Sequence, residues 1–381
     1  MSAADLLFRL DEVAARVRAQ AVEADRLARL TEPAVAALRA LGLFRLWIPR
    51  RYGGFELELA DTLRVYEAAA RIDGSFGWAA MIGAGGGLFA AWLDPAAAED
   101  IFAPAAAVIA GSGAPDGRAE EVQGGYRVSG RWRYASGAHY ATTFTANCLV
   151  TRDGRPVPDE SGKPLIRAMA FTPAQVAIHD TWNTSGMRGT GSHDMEVREA
   201  FVPRSRSFSL FTDAAREPGP LYRLPFGVLT ELPVAAVGLG IARHALGAFA
   251  RLARSKRCTG SGTLLADHPL AQAACASSEA CCRFQQAGVH SLASQAWQAA
   301  LDQRALRPQE LAQITSGCVS CLAELRGAIG ALASLAGMDA IMQEGEFARA
   351  WRDLQALAAH VSVSPLQASQ AGAALIADRE A

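Results

Sequence analysis

The sequence predicts a mainly helical protein with a β domain at its centre, and three observations carry that expectation. Apolar residues recur at helical spacing through residues 1–106. From Ala107 the texture changes to short alternating or β-branched runs set between Gly, Pro and Asp turns. Beyond Pro225 long alanine- and leucine-rich helical patterns return and continue toward the C-terminus. The expected division is a helical domain over 1–106, a β domain over 107–215 and a helical domain over 216–381. With 381 residues, half of them hydrophobic, the chain can bury a large core.

Each segment has its own signals. Leu27, Leu30, Val35, Leu38 and Leu41 are three to five residues apart, with Thr31 placed to cap, Pro33 in the first turn and Gly42 to stop the helix. A second helical run covers Leu59 to Ala70, and Asp73-Gly74-Ser75 reads as a turn into a small-residue helix around Trp78 and Met81. In the middle segment, Tyr126 to Ser129 and Thr142 to Val150 read as strands. Asp153 to Lys163 reads as an exposed hairpin loop, and the β texture ends near Val202-Pro203. After Pro225, breaks at Gly260-Ser261-Gly262, Arg307-Pro308 and Gly345 divide the rest into about four helices, enough for a bundle.

Composition excludes several function classes. The 37 Lys plus Arg nearly balance the 38 Asp plus Glu, for a formal charge of −1, so no general attraction to nucleic acid or an anionic membrane is expected. Met81 to Trp92 is too short to span a bilayer, and Leu232 to Ala250 is interrupted by Arg243 and His244. Seven cysteines, an odd count with several in helix-like sequence, and no secretory leader pattern predict a reduced, cytoplasmic protein.

The familiar site motifs fail. Gly85-Gly86-Gly87 lacks the Lys and hydroxyl of a phosphate loop, and Gly238-x-Gly240 has no preceding strand or later ribose-binding acid; these glycines are expected to serve helix packing. Cys318 and Cys321 have no matching second pair and would share a buried helix face, so no metal site is expected. Two stretches carry chemistry. Gly125 to Gly137 delivers aromatic residues and the Ser136 hydroxyl to a glycine turn, where backbone can approach a flat ligand. Trp182 to Asp194 combines glycines, hydroxyls and Arg188 in a manner suited to a polar or anionic group held by backbone amides.

Along nearly its whole length the chain resembles the acyl-CoA dehydrogenase superfamily. The resemblance rests on Gly42-Leu43-Phe44 to Pro49-Arg50-Arg51-Tyr52-Gly53-Gly54, Asp73-Gly74-Ser75, Tyr134-Ala135-Ser136-Gly137, Gly186-Met187-Arg188-Gly189-Thr190 and Phe201-Val202-Pro203. It implies a middle β-barrel, a C-terminal four-helix bundle, a flavin between barrel and bundle, and a homotetramer. The family's dehydrogenases place a catalytic Glu soon after an Arg-Asp pair near the C-terminus. Here Arg352-Asp353 is followed by His360-Val361, with no carboxylate nearby, and the segment resembles the flavin-dependent monooxygenase branch.

That resemblance implies reduced FAD or FMN, O2, a flavin C4a-hydroperoxide and a small organic substrate, aromatic or heteroatom-bearing. With no nicotinamide fingerprint, it also implies a separate flavin reductase. His360 and Ser136 are the candidate catalytic residues, because an imidazole can donate to a peroxide or take a phenol proton and a hydroxyl can bond the ring. Tyr134, Ala135, Ser136, Arg188, Gly189, Thr190, Ser192, Arg257, Trp351 and Arg352 are the expected flavin contacts. The Phe-Gly that usually follows the family's phosphate-reaching Arg is replaced here by Cys258-Thr259. Ser112 and His139 are the expected substrate-lining residues; His179, His244, His268 and His290 are expected to be structural or at the surface. The alternatives are an enzyme acting on a CoA thioester, with Glu231 or Glu344 as base, and a flavin-free binding protein on the same scaffold.

Overall fold

The computed structural model describes residues 1–377. Its N-terminal part holds α1 (Ala3–Arg18), α2 (Ala21–Leu27), α3 (Glu32–Ala40), α4 (Leu59–Ile72), α5 (Gly74–Gly87) and α6 (Pro95–Phe102). Ser2 and Asp5 form a reciprocal cap that starts α1, and Leu6, Leu10, Ala14 and Val17 fall on its buried face. Thr31 stands at the N-cap position of α3 but does not cap it, since its hydroxyl is buried without a partner; Pro33 lies in the first turn, and Gly42 follows in the left-handed region at φ +69°. The Asp73 turn is itself a cap: its side chain accepts the Phe76 amide and starts α5.

Small residues let α5 sit deep in the fold. A Cβ at Gly77 would clash with Ala70, at Gly83 with Phe44, at Gly86 with Ile109 and at Gly87 with Ile48. Gly85 differs from the packing expectation, because a Cβ there would meet nothing within 4 Å.

The middle segment holds β1 (Ile109–Val122), β2 (Gly125–Ala135), β3 (Thr143–Arg152), β4 (Arg155–Pro156), β5 (Ile166–Phe171), β6 (Ala177–His179), β7 (His193–Pro203) and β8 (Ser207–Phe208). They form one mixed sheet in the order β6-β7-β2-β1-β3-β5-β8, with β4 paired to β3. β1 and β3 run parallel and the other pairs antiparallel. The sheet curls so that β5 approaches β7 around a core that includes Trp132, Phe144, Phe171 and Met195, while the hydrogen-bonded path stays open between β6 and β8. The fold is therefore barrel-like, with two free edges.

The C-terminal segment holds α7 (Val228–Ala253), α8 (Pro269–Leu301), α9 (Pro308–Ala336), α10 (Glu346–Leu357) and α11 (Pro365–Ala377). α7 packs against α8, α9 and α10, and α11 lies on α9. The sequence breaks at 260–262, 307–308 and 345 separate these helices as expected. One further break, at 358–364, divides α10 from α11. Val228–Ala253 and Pro308–Ala340 have the length and mean hydropathy of a membrane span, but the apolar window of the first is 83% buried inside the protein, as in a core helix.

Two glycines test this packing. Gly240→Val should destabilise the fold by about 1–3 kcal/mol, because a Cβ would lie 2.6 Å from that of Ala70 and strike the Glu67 carbonyl. Gly288→Ala, on the exposed face of α8 with no neighbour within 4 Å, should stabilise it by roughly 0.5–1 kcal/mol. Urea unfolding of both variants against the parent checks the pair.

Candidate functional site

The first of the two chemistry-bearing stretches is shaped by a bulge. Along the β2–β7 ladder Trp132 faces Met195 and Ala135 faces His193, so Arg133 and Tyr134 together oppose Asp194. Tyr134 takes φ +68°, a left-handed conformation that costs a non-glycine residue about 1–3 kcal/mol. The distortion re-aims its ring: the residue is 62% exposed, and its ring stands edge-on to Trp182 at 6.0 Å. Ala135 turns inward to the barrel core, and Ser136 is buried beyond it. On the neighbouring strand a second irregularity runs from Ser112 to Gly117, held where Asn147 Nδ2 donates to the Gly113 carbonyl at 2.8 Å.

The two stretches meet at Ser136. The Gly137 amide donates to the Thr190 carbonyl at 3.0 Å, which sets the Ser136 hydroxyl 2.7 Å from that of Ser192. Ser192 is in turn 2.7 Å from the Thr190 hydroxyl. From the other side the Trp78 indole donates to Ser136 Oγ at 3.0 Å. Trp78 was not among the candidates; its only sequence signal is an aromatic residue in a helix otherwise made small.

His360 reaches the same place from the bundle. It lies in the break between α10 and α11 as the N-cap of a short 3-10 turn, and its Nδ1 accepts the Ser362 amide at 3.3 Å. Its ring stands edge-on to Trp78 at 5.2 Å. An occupied Nδ1 lone pair leaves the proton of the neutral imidazole on Nε2. Burial pushes the His360 pKa below its ordinary value and keeps the ring neutral. Trp78 thus stands between Ser136 and His360, and none of these positions is close to another in sequence.

The Trp182 to Asp194 stretch is a loop wedged between regions. A Cβ at Gly186 would run into the Arg352 carbonyl, and one at Gly189 would lie 2.9 Å from Ser75 Cβ. The Met187 amide donates to Asp353 at 2.5 Å. Arg188 donates to the carbonyls of Asp25 and Thr184, and Arg352 to those of Ser185 and Gln343. These two guanidiniums frame the loop. Trp351 has a buried indole nitrogen without a partner, which suits an acceptor supplied from outside the chain. Arg257 stands apart on the hairpin after α7, bonded to the Gly262 carbonyl.

Other candidates resolve differently. His139 is near Asp180 (3.6 Å) and His193, and the three bring possible ligand atoms within 4.8 Å of one another. His193 Nδ1, however, already accepts the Trp182 amide at 3.2 Å, so that lone pair is taken. His179, His244 and His290 pair with Glu196, Glu346 and Glu67, and His268 caps α8. Cys318 and Cys321 are buried free thiols. Glu231 accepts from Thr315 and Glu344 is exposed; among the described residues neither is hydrogen bonded to Trp78, Ser136 or His360. A cavity of about 260 Å³ opens among Leu88, Trp92, Tyr222, Pro225 and Phe226, away from these three residues. The convergence of polar groups, rather than open volume, therefore marks the candidate site.

Comparison with known proteins agrees with this architecture. Residues 10–101 match the model for the acyl-CoA dehydrogenase N-terminal domain, and residues 232–365 match that for an acyl-CoA dehydrogenase C-terminal domain. An indole-3-acetate monooxygenase of Pseudomonas putida is 30% identical over 94% of this chain and 90% of its own length. The oxygenase component of an FADH(2)-dependent resorcinol hydroxylase from Rhizobium sp. (strain MTP-10005) is also 30% identical, over 94% of this chain and 90% of its own. Among solved structures, the HsaA monooxygenase of M. tuberculosis superposes with a TM-score of 0.87 at 25% identity, covering 100% of this chain and 99% of its own.

Asp353 offers a pH test of the contact that closes the site. Burial, and then the adjacent Asp73 carboxylate, raise its pKa to about 7, against 3.8 for a free carboxyl. The folded state therefore holds this proton more tightly than the unfolded state between about pH 4 and 7, and the stabilisation present at pH 4 is lost as pH rises through 7. Asp353→Asn keeps an acceptor for Met187 but does not titrate. Urea midpoints measured at pH 5, 6, 7 and 8 should show the parent falling relative to the variant; parallel profiles would contradict the raised pKa.

Proposed function

The chain belongs to the acyl-CoA dehydrogenase family, and from that premise we propose that it is a flavin-dependent monooxygenase. It uses reduced FAD or FMN and O2 to oxygenate a small organic substrate, aromatic or heteroatom-bearing. The observation that carries this reading is His360, a neutral imidazole with its proton on Nε2 that stands beside Trp78 and, by the family resemblance, takes the place of the dehydrogenases' glutamate base. Relatives that share most of their length with this chain are named for oxygenation of indole-3-acetate and hydroxylation of resorcinol. Oxygenase components of this kind work with a separate flavin reductase, and a homotetramer in the cytoplasm completes the reading. The free cysteines are consistent with a reducing compartment.

The residues present fit a flavin. Tyr134 offers an exposed aromatic face held by strained backbone, Ser136 an oxygen with a free lone pair, and Trp351 an unpartnered indole N–H. Together with Ala135, the Gly189 and Thr190 backbone and Ser192, they would hold the ring between barrel and bundle. Arg188 and Arg352 would act by fixing the loop. Arg257, remote in its own chain, would serve the site of a neighbouring copy. Ser112 and His139 would line the substrate side. When bound, reduced flavin supplies two electrons, so that one oxygen atom of O2 enters the substrate and the other leaves as water.

His360 acts as a donor in this scheme. Its Nε2–H can hold oxygen-bound negative charge and deliver a proton, whereas a base would need the Nδ1 lone pair that Ser362 occupies. Ser136 holds the Trp78 indole, the indole packs edge-on against the imidazole, and burial excludes water from the ring. Anaerobic mixing with reduced flavin, followed by oxygenated buffer, tests the function. A spectral transient before oxidised flavin appears is expected. Bleaching of oxidised flavin by acyl-CoA thioesters, with no need for reductant or O2, would instead assign thioester dehydrogenation.

His360→Ala should keep the fold and flavin binding but lose product by roughly 100- to 10,000-fold, with hydrogen peroxide released in its place. His360→Gln, which retains an N–H donor, should recover part of the coupling. Because burial lowers the His360 pKa and Nε2 carries a proton in either charge state, coupling in the parent should stay level from pH 8 down to about 6.5. Product and peroxide yields measured across pH for the three proteins check both statements.

A further inference from the structure

Four close polar contacts run inward from Trp78, and only one placement of hydrogens satisfies them all. Trp78 Nε1 is 3.0 Å from Ser136 Oγ, and Ser136 Oγ is 2.7 Å from Ser192 Oγ. Ser192 Oγ is 2.7 Å from Thr190 Oγ1, and Thr190 Oγ1 is 2.8 Å from the Met187 carbonyl. The two ends have fixed roles, since an indole N–H can only donate and a carbonyl can only accept.

Working from the carbonyl outward, Thr190 must spend its single proton on Met187. Ser192 must then donate to Thr190, and Ser136 to Ser192. Turning any one hydroxyl around would set two lone pairs face to face among buried groups, where an unmade hydrogen bond is costly. Ser136 is left with no free proton. Of its two lone pairs, one receives Trp78 and one is open.

We infer that the Ser192–Thr190–Met187 relay fixes Ser136 as an acceptor toward the bound flavin, and that the site thereby selects the reduced form of the cofactor. Ring atom N5 of a flavin carries a hydrogen when reduced and only a lone pair when oxidised. An oxygen without a free proton pairs with the first and opposes the second. Thr190 and Ser192 are positioning residues here: they act by committing the Ser136 proton, whether or not they touch the ring. The inference rests on the reading that places Ser136 against the flavin and takes N5 as its partner there.

Anaerobic titrations with oxidised and with reduced flavin give the ratio of the two dissociation constants, a readout independent of turnover. Ser192→Ala and Thr190→Val each release the Ser136 proton for outward donation. Each should narrow the parent's preference for reduced flavin by about fivefold, the fold-change of one net hydrogen bond, chiefly by tightening the oxidised form. Met187 keeps two donors in Thr190→Val, the Thr190 amide and Trp182 Nε1, so its carbonyl stays satisfied. Thr190→Ser restores the hydroxyl and should restore the parent ratio. If Ser136→Ala alters flavin affinity while Ser192→Ala and Thr190→Val keep the parent ratio, the relay is overturned and Ser136 stays at the flavin. If Ser136→Ala binds both forms as the parent does, Ser136 is not at the flavin, and the inference falls with that placement.

Discussion

The bond from the Met187 amide to the Asp353 carboxyl is the contact on which the rest of this structure depends. It joins a barrel loop to α10 at the centre of a buried group of acids and guanidiniums drawn from all three segments: Asp25 from α2, Asp73 at the head of α5, Arg188 from the loop, and Arg349 and Arg352 from α10. Burial raises the pKa of both Asp25 and Asp353, so these acids are held at an electrostatic cost. Such a cluster adds little net stability compared with apolar packing, but breaking any one pair strands a charge. The constraint it imposes is one of position.

Position is what the site needs. Asp73 caps α5 and also lies beside Arg349, so the helix that carries Trp78 is tied to the helix that leads to His360. The loop anchored by Met187 carries Thr190 and Ser192, which hold Ser136. The three segments are thus brought to one point by a single set of contacts, and the side chains there inherit the rigidity of the elements beneath them. The strain at Tyr134 belongs to the same design, because a residue in the left-handed region persists only where the neighbouring ladder overdetermines it.

Electrostatics at the centre are set by exclusion of water more than by charge. Burial lowers the His360 pKa and keeps the ring neutral, and the Ser362 amide decides which nitrogen carries the proton. On the other side, a hydroxyl relay ending on a carbonyl decides what Ser136 can offer. A donor and an acceptor, each fixed by backbone, thus stand on either side of Trp78. In the function we propose, they complement a cofactor that changes its own hydrogen-bonding pattern when it is reduced.

The sequence by itself determined the order of segments, because helical and strand periodicities, the Thr31 and Pro33 start signals and the Gly42 stop are local and survive any tertiary arrangement. It also marked both chemistry-bearing stretches and His360, since a departure from a family pattern at one position can be read without a structure. Tertiary structure decided the rest. Trp78 lies 58 residues from Ser136 and makes contact only once α5 is docked by its glycines, so no local pattern announces it. The break that frees His360 from a continuous helix falls in Ala358-Ala359-His360, which carries no breaker of its own; Pro365 fits equally well as the first residue of α11. Arg188 reads as a ligand for a polar or anionic group, yet it and Arg352 are bonded to backbone carbonyls, because a guanidinium packed inside the fold bonds whatever acceptors lie beside it.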